Sequence, residues 1–278
     1  MGVPMNWANT DAEVKAYIDD INVIEKVRHC DSIAQITQNK QTTHAHAPCS
    51  ESFFKQISSR AAQLNMKVNE EKTQLVCISA SKSAEVNSYI NANKSRLLSG
   101  NELKILGFWF STEPTVELQV KKMESKFRSR LWALRHLKRS RMKSADLLFI
   151  YKSVVRSVLD FACPTYHTML SVTQSERLER LQRRAMKCIY GVERSYENIL
   201  STEDIERLDL RRENLFTNFA IKASNNERVK HKWFPPSHKH DHDTRVNKPF
   251  KEFPARTERL YNSPMFQMRK RLNRERDT

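Results

Sequence analysis

Tyr17-Ile18-Asp19-Asp20 is the sharpest chemical signal in the chain, two adjacent carboxylates inside a run of alternating apolar residues: Val14, Ala16 and Ile18 before, Ile21 and Val23 after. That alternation predicts a β-hairpin over roughly Val14 to Val27 with the acids at its tip. Paired carboxylates suit an oxygen-preferring divalent cation such as Mg²⁺. Two such ions about 3.5 to 4 Å apart stabilise both the attacking and the leaving oxygen in phosphoryl transfer. Side chains alternate faces along a strand, so Asp19, on the face of Tyr17, is the expected closer ligand, with Asp20 beside it. Paired acids are equally at home in an ordinary β-turn. With this chain's Tyr and Asp content, Y-x-D-D arises by chance about 0.01 times.

The elements that must position these residues are legible in part. Ser50 precedes Phe53, Phe54, Ile57, Ala61 and Leu64, a helical rhythm with Ser50 as N-cap. Thr73 to Ile78 reads as a short strand and Leu103 to Phe110 as a second apolar one. Past Pro114 the period changes: Val120, Met123, Phe127, Leu131 and Leu134 recur at three- and four-residue steps on one helical face. A second helix carries Leu147, Ile150, Val154, Val158 and Phe161 inward and stops near Pro164. A third opens with a capping box, Thr173-x-x-Glu176, and closes at Gly191, with Leu178, Leu181, Ala185 and Ile189 inward. A further helix spans about Arg207 to Ser224. Pro235, Pro236 and the run from His238 to Asp243 form an irregular connector. Phe250, Phe253, Leu260, Tyr261, Met265 and Phe266 are the residues through which the last segment would dock on the body.

Composition narrows the function classes. A length of 278 residues suits one or two domains. Four glycines leave no glycine-rich phosphate loop, and no G-x-S-x-G is present. The net charge of +16 attracts polyanions, nucleic acid first and anionic membrane surfaces second. Ten of the basic residues fall between Lys121 and Lys143 (Lys121, Lys122, Lys126, Arg128, Arg130, Arg135, Lys138, Arg139, Arg141 and Lys143), against the single acid Glu124. The face opposite the core is thus expected to be almost uniformly positive and to bind phosphates. Trp132 on the same helix is placed to stack on a base or, as the stronger expectation, to pack into the core. Five scattered cysteines without C-x-x-C argue for a reducing compartment. With neither a signal peptide nor an apolar span in view, an intracellular location, nuclear or cytoplasmic, is expected. His44, His46 and Cys49 with Cys30, and His238, His240 and His242 with Asp241 and Asp243, lack the paired spacing of a zinc site.

Three segments in order then resemble a known family. Tyr17-Ile18-Asp19-Asp20, Asn69-Glu70-Glu71-Lys72-Thr73-Gln74-Leu75 and Leu103-Lys104-Ile105-Leu106-Gly107-Phe108 are similar to the polymerase sequence of non-LTR (LINE-type) retrotransposon reverse transcriptases. The likeness continues through Ile150 to Asp160 and Leu178 to Ala185, which look like the helical thumb and its C-terminal neighbour. It implies that Asp19 and Asp20 are the palm's metal-binding pair for two Mg²⁺ ions and that Tyr17 lies near the primer terminus. It places Lys72 near the triphosphate as a candidate acid for the pyrophosphate leaving group, although a solvated lysine at a strand start would read the same. Leu106 and Gly107 would be the turn that grips the primer backbone, glycine permitting close approach; Gly107 would equally relieve a crowded strand. Lys121, Lys122, Lys126, Arg128, Arg130, Arg135, Lys138 and Arg139 would follow template and primer phosphates.

The resemblance implies an α+β fold, a truncated polymerase palm (hairpin, helix and short strands) over 1–112, a helical thumb over 113–192 and a basic C-terminal region over 193–278. The implied partners are an RNA template and a DNA primer, with no membrane, and the implied reaction is RNA-directed DNA synthesis. In that family a further metal-binding carboxylate comes from a strand well upstream of the hairpin. Sixteen residues precede Tyr17, and Asp11 and Glu13 lie too near it to belong to an independent strand. The expectation is therefore a fragment that does not polymerise alone, two of three carboxylates being too few to preorganise the metals. A non-catalytic, basic helical nucleic-acid-binding protein is the alternative.

Overall fold

A computed structural model describes residues 12–17, 20–25, 49–69, 73–75, 98–99, 101–113, 115–237 and 249–274. The chain divides into two compact units, one of residues 1–75 and 81–100, the other of 76–80 and 101–278. In the first, β1 (Ala12–Tyr17) and β2 (Asp20–Glu25) form the expected antiparallel hairpin. Its register sets Val14 opposite Val23, Ala16 opposite Ile21 and Tyr17 opposite Asp20, so the alternating apolar residues fall at facing positions. α1 (Cys49–Gln63) contains Ser50 rather than being capped by it. Leu64, expected inward, is exposed just beyond the helix end. The two-residue strands β3 (Gln74–Leu75) and β4 (Leu98–Ser99) pair in parallel. The rest of the strand expected up to Ile78 lies outside the described residues.

The second unit opens with another antiparallel hairpin, β5 (Glu102–Ile105) and β6 (Phe108–Ser111). The apolar run from Leu103 to Phe110 is thus two strands and not one, because Leu106 and Gly107 both take positive φ, 48° and 88°. Two consecutive residues of that kind make a tight turn whose twist matches its strands. Glycine adopts it freely, whereas leucine does so at a cost of about 1–2 kcal/mol.

α2 (Glu117–Arg139) follows and buries Val120, Met123, Phe127, Leu131 and Leu134, as their spacing predicts. It ends in a Schellman motif: Met142 N–H donates to Leu137 O at 3.3 Å and Arg141 N–H to Lys138 O at 3.0 Å, with Arg141 left-handed at φ 60°.

α3 (Ser144–Ile150) runs directly into one π-helical turn, Tyr151–Val155, and then α4 (Ser157–Asp160). Arg156 N–H reaches back five residues to Tyr151 O at 2.8 Å. The wider turn resets the helical phase. Leu147, Tyr151, Val155, Val158 and Leu159 are buried, while Val154 and Phe161, both expected inward, are each 47% exposed. Pro164 is accommodated inside the first turn of α5 (Cys163–Tyr166), after Ala162 turns left-handed at φ 53°.

α6 (Val172–Tyr190) has Leu178, Leu181, Ala185 and Ile189 buried and ends at Gly191, as expected. Its capping box lies two residues earlier than expected. Gln174 N–H donates to Ser171 Oγ at 3.2 Å and Ser171 N–H to Gln174 Oε1 at 2.9 Å. The helices α7 (Tyr196–Thr202), α8 (Leu208–Ser224), α9 (Glu227–Trp233), α10 (Glu258–Tyr261) and α11 (Pro264–Arg274) complete the unit.

Two cores hold these helices. The larger joins α2 through α7 around Phe127, Leu134, Tyr151, Leu159, Leu178 and Ile189. The smaller gathers Phe216, Ala220, Ala223, Phe234, Met268 and Leu272. The last segment therefore docks, through Phe250 as expected and also through Met268 and Leu272; Phe253, Leu260, Tyr261 and Met265 stay exposed. Asn273 ties Phe250 to α11 by accepting from Phe250 N–H and donating to Phe250 O, both at 3.0 Å.

A buried polar hub centres on Gln182, which accepts from Tyr151 Oη at 2.6 Å and donates to Tyr196 Oη at 2.9 Å and Glu206 O at 3.0 Å. Glu179 accepts from Leu208 N–H at 3.0 Å and from the Tyr196 hydroxyl.

Three stability outcomes follow, each measured by urea unfolding. Phe127→Ala, which empties part of the larger core, should cost about 3–5 kcal/mol. Gln182→Leu keeps the volume but strands the Tyr151 hydroxyl and the Glu206 carbonyl, and should cost about 1–3 kcal/mol. His167 lies 2.9 Å from Glu213, and burial followed by the charges of Arg212 and Arg271 pushes its pKa down to about 4. The unfolded chain titrates near 6.5, so between about pH 6.5 and 4 the unfolded state holds the extra proton and stability falls as the pH falls. His167→Gln should flatten that acid limb; an unchanged limb assigns it to other groups.

Candidate nucleic-acid interface

The turn of the β5–β6 hairpin, α2 and the segment from Ser157 to Phe161 enclose an open groove of about 450 Å³. Four cations line it, Lys104, Lys122, Lys126 and Arg130, beside the apolar surfaces of Leu106, Gly107, Trp109 and Phe161. No carboxylate is among its lining residues. A positive, partly apolar channel without acids is suited to a phosphate backbone whose sugars touch the apolar wall.

Each cation is held differently. Trp109 N–H donates to Gln119 Oε1 at 3.0 Å, which ties β6 to α2. Lys122 Nζ stands 4.3 Å from the Trp109 ring centre and 3.0 Å from Glu102, so part of its charge is already paired. Lys104, directly across the hairpin from Trp109, lies 5.7 Å from the same ring. Arg130 donates to the Val154 carbonyl and, at 3.1 Å, to Ser157 Oγ, satisfying backbone that the π turn leaves open. Lys126 has no ion-pair partner among the described residues.

Gly107 meets the groove's far wall, since a Cβ there would stand 3.0 Å from Phe161 Cζ. The turn therefore needs glycine for its positive φ, while the contact with that ring is made by the mobile end of a half-exposed side chain.

Of the residues singled out in the sequence, Leu106, Gly107, Lys122, Lys126 and Arg130 come together in this groove. Lys121, Arg128, Arg135 and Arg139 lie on the other flank of α2 and do not line it. Lys121 is 3.9 Å from Glu117 and Arg128 3.5 Å from Glu124, while Arg177 of α6 binds both acids at 2.9 Å. Hydrogen bonds to Glu117 and Glu124 strengthen the hold of Arg177 on its proton, and that pairing lowers the Glu117 pKa despite partial burial. Lys138 donates to Ile189 O at 2.7 Å and so caps the end of α6. Trp132 is not in the core; it is 63% exposed and packs against His136 with 3.9 Å between ring centres and 59° between ring planes. The positive surface of α2 is thus two flanks and not one uniform face.

Tyr17 and Asp20 end the facing strands of the first unit, and Asp19 and Lys72 lie outside the described residues. Cys30, His44, His46, His238, His240 and His242 lie outside them as well. Among the described residues no group of three or more His, Cys, Asp or Glu is placed to hold a metal, and no helix is long and apolar enough to cross a membrane. Lys104, Trp109 and Phe161 are groove residues that sequence reasoning missed. Alternation read across a two-residue turn pairs Lys104 with Trp109, but no local signal exposes Phe161. None of the protein-family models, curated proteins or solved structures compared with the chain matches it.

Gly107→Ala should cost about 1–2 kcal/mol, the left-handed penalty, because the Phe161 ring is half-exposed and its tip can swing aside. Combining it with Phe161→Ala should leave that cost nearly intact in thermal unfolding. A double variant that recovers the stability of Phe161→Ala alone would assign the cost to the ring contact instead.

Proposed function

We propose that this chain is a portion of a non-LTR reverse transcriptase and that its helical unit holds the backbone of an RNA template paired to a DNA primer in the groove beside α2. The observation that carries this reading is a convergence. The Leu106-Gly107 turn and Lys122, Lys126 and Arg130, which the resemblance gives to the primer backbone and to template and primer phosphates, come from separate segments and line one groove. Contacts of this kind position a strand without reading its sequence. Mg²⁺ at Asp19 and Asp20, and proton donation by Lys72, are the chemistry the resemblance adds.

A second reading, non-catalytic nucleic-acid binding, draws on the same groove, since its cations all belong to the helical unit and none to the Tyr17–Asp20 hairpin. A positive result in one measurement decides for the first reading. If the palm chemistry is present, the next complementary deoxynucleoside triphosphate with Mg²⁺ slows dissociation of the bound hybrid, and Asp19→Asn with Asp20→Asn abolishes that effect. A non-catalytic binder shows no such effect with either chain.

Binding itself is tested at Lys126, a groove cation with no ion pair among the described residues. Lys126→Gln should weaken a hybrid of about 20 base pairs by two- to tenfold whatever its sequence. It should also reduce the slope of log affinity against log salt by about one. Unchanged affinity and slope in a salt titration would remove the groove from the proposal.

A further inference from the structure

The flank of α2 turned away from the groove carries a surface of its own. Lys122, Lys126 and Arg130 follow one another at four-residue steps on the groove side. Lys121, Arg128, Arg135 and Arg139 recur at steps of seven, seven and four, which makes a second row about 27 Å long on a helix rising 1.5 Å per residue. All four are exposed. Arg135 and Arg139 have no ion-pair partner among the described residues.

Trp132 stands in the middle of that row. It lies four residues after Arg128, three before Arg135 and seven before Arg139, spacings that put all of them on neighbouring turns of one face. The acids closest to the row are already committed. Glu124, the sole acid between Lys121 and Lys143, is 8% exposed and held by Arg177 and Arg128, and Glu117 is held by Arg177. A large aromatic ring left in water amid exposed cations, two of them without an ion-pair partner among the described residues, is the arrangement that captures unpaired bases, whose π-faces stack on the ring while the cations follow the backbone. A duplex cannot use it in this way, because its bases already stack on one another.

We propose that this row is a second binding face, separate from the groove, that takes single-stranded nucleic acid with one base on Trp132 and phosphates on Arg128, Arg135 and Arg139. The proposal extends the reading of the helical unit as a nucleic-acid binder, but it stands on residues the groove does not use. The His136 ring packs against the indole with 3.9 Å between ring centres and its plane tilted by 59°.

The test uses the full chain with three fluorescent probes: a single-stranded deoxythymidine 12-mer, an abasic 12-mer with the same phosphates, and an RNA/DNA hybrid. Trp132→Ala should weaken the deoxythymidine 12-mer about tenfold, with the hybrid and abasic strand each within twofold of wild type. Trp132→Phe, which keeps a stacking ring, should restore most of the loss. Because Trp132 is exposed, the thermal midpoint of both variants should match wild type. Retained 12-mer affinity in Trp132→Ala, equal losses for all three probes, or displacement of the 12-mer by polyglutamate as efficient as by the abasic strand would each overturn the proposal, the last by pointing to an acidic polypeptide. If Lys126→Gln leaves the hybrid untouched while Trp132→Ala still weakens the 12-mer, the groove reading falls and this face stands.

Discussion

The apolar stripe of α2 is the constraint on which the rest of the helical unit depends. Val120, Met123, Phe127, Leu131 and Leu134 are all buried in one core, and each large apolar side chain so placed contributes about 1.5–3 kcal/mol. Like charges at exposed neighbouring positions on a helix oppose this by only a few tenths of a kcal/mol per pair. Burial therefore decides how the helix is rotated, and the ten basic residues between Lys121 and Lys143 take whatever positions remain. Because the stripe occupies about a third of the circumference, the cations divide into a groove-side row and an outer row with different neighbours.

The shape of the groove depends on a second, subtler device. Without the π turn at Tyr151–Val155, the helical phase that buries Leu147 would also carry Val154 and Phe161 toward the core. The extra residue in that turn keeps Val155 inward in line with Tyr151 and leaves Phe161 free to stand against Gly107. The turn is held from both sides. Tyr151 is anchored from within by Gln182, and Arg130 of α2 bonds the Val154 carbonyl and Ser157 from without. An arginine expected to bind phosphate is thus also the clamp that positions the groove's opposite wall.

What the sequence makes legible follows from how local the physics is. The inward faces of α2 and α6 are readable because three- and four-residue spacing over about five turns leaves no competing phase. The first hairpin is readable for the same reason at period two, and its register confirms the facing apolar pairs. The π turn is not readable, since nothing in Tyr151 to Val155 distinguishes it from ordinary helix; it arises from packing against residues about 20 to 30 positions away in sequence. Trp132 was expected in the core because it is large and apolar, yet its position on the helical wheel lies outside the stripe. Met268 and Leu272 were passed over because basic residues surround them, although their four-residue spacing already placed them on one face. Of the candidate site, the charge was legible and its partition was not.

That partition changes what a charge count means. Ten basic residues against one acid suggests a uniform polyanion trap, yet much of the charge is engaged. Arg130 and Lys138 bond backbone carbonyls, Lys122 shares Glu102, and Lys121 and Arg128 neighbour acids that Arg177 already holds. Exposed pairs of this kind are worth little in stability, but each anion present lowers the gain on releasing a counterion from a bound phosphate. Lys126 in the groove and Arg135 and Arg139 beside Trp132 have no ion-pair partner among the described residues, while Arg130 and Lys138 keep their charge but are held by the carbonyls they bond. The cations of the helix are therefore not equivalent, and the two flanks differ in how many of them face an acid. A helix whose core stripe alone fixes its rotation can in this way present two cationic surfaces that differ in the apolar group set among the cations: a hairpin turn on one side and an open indole on the other.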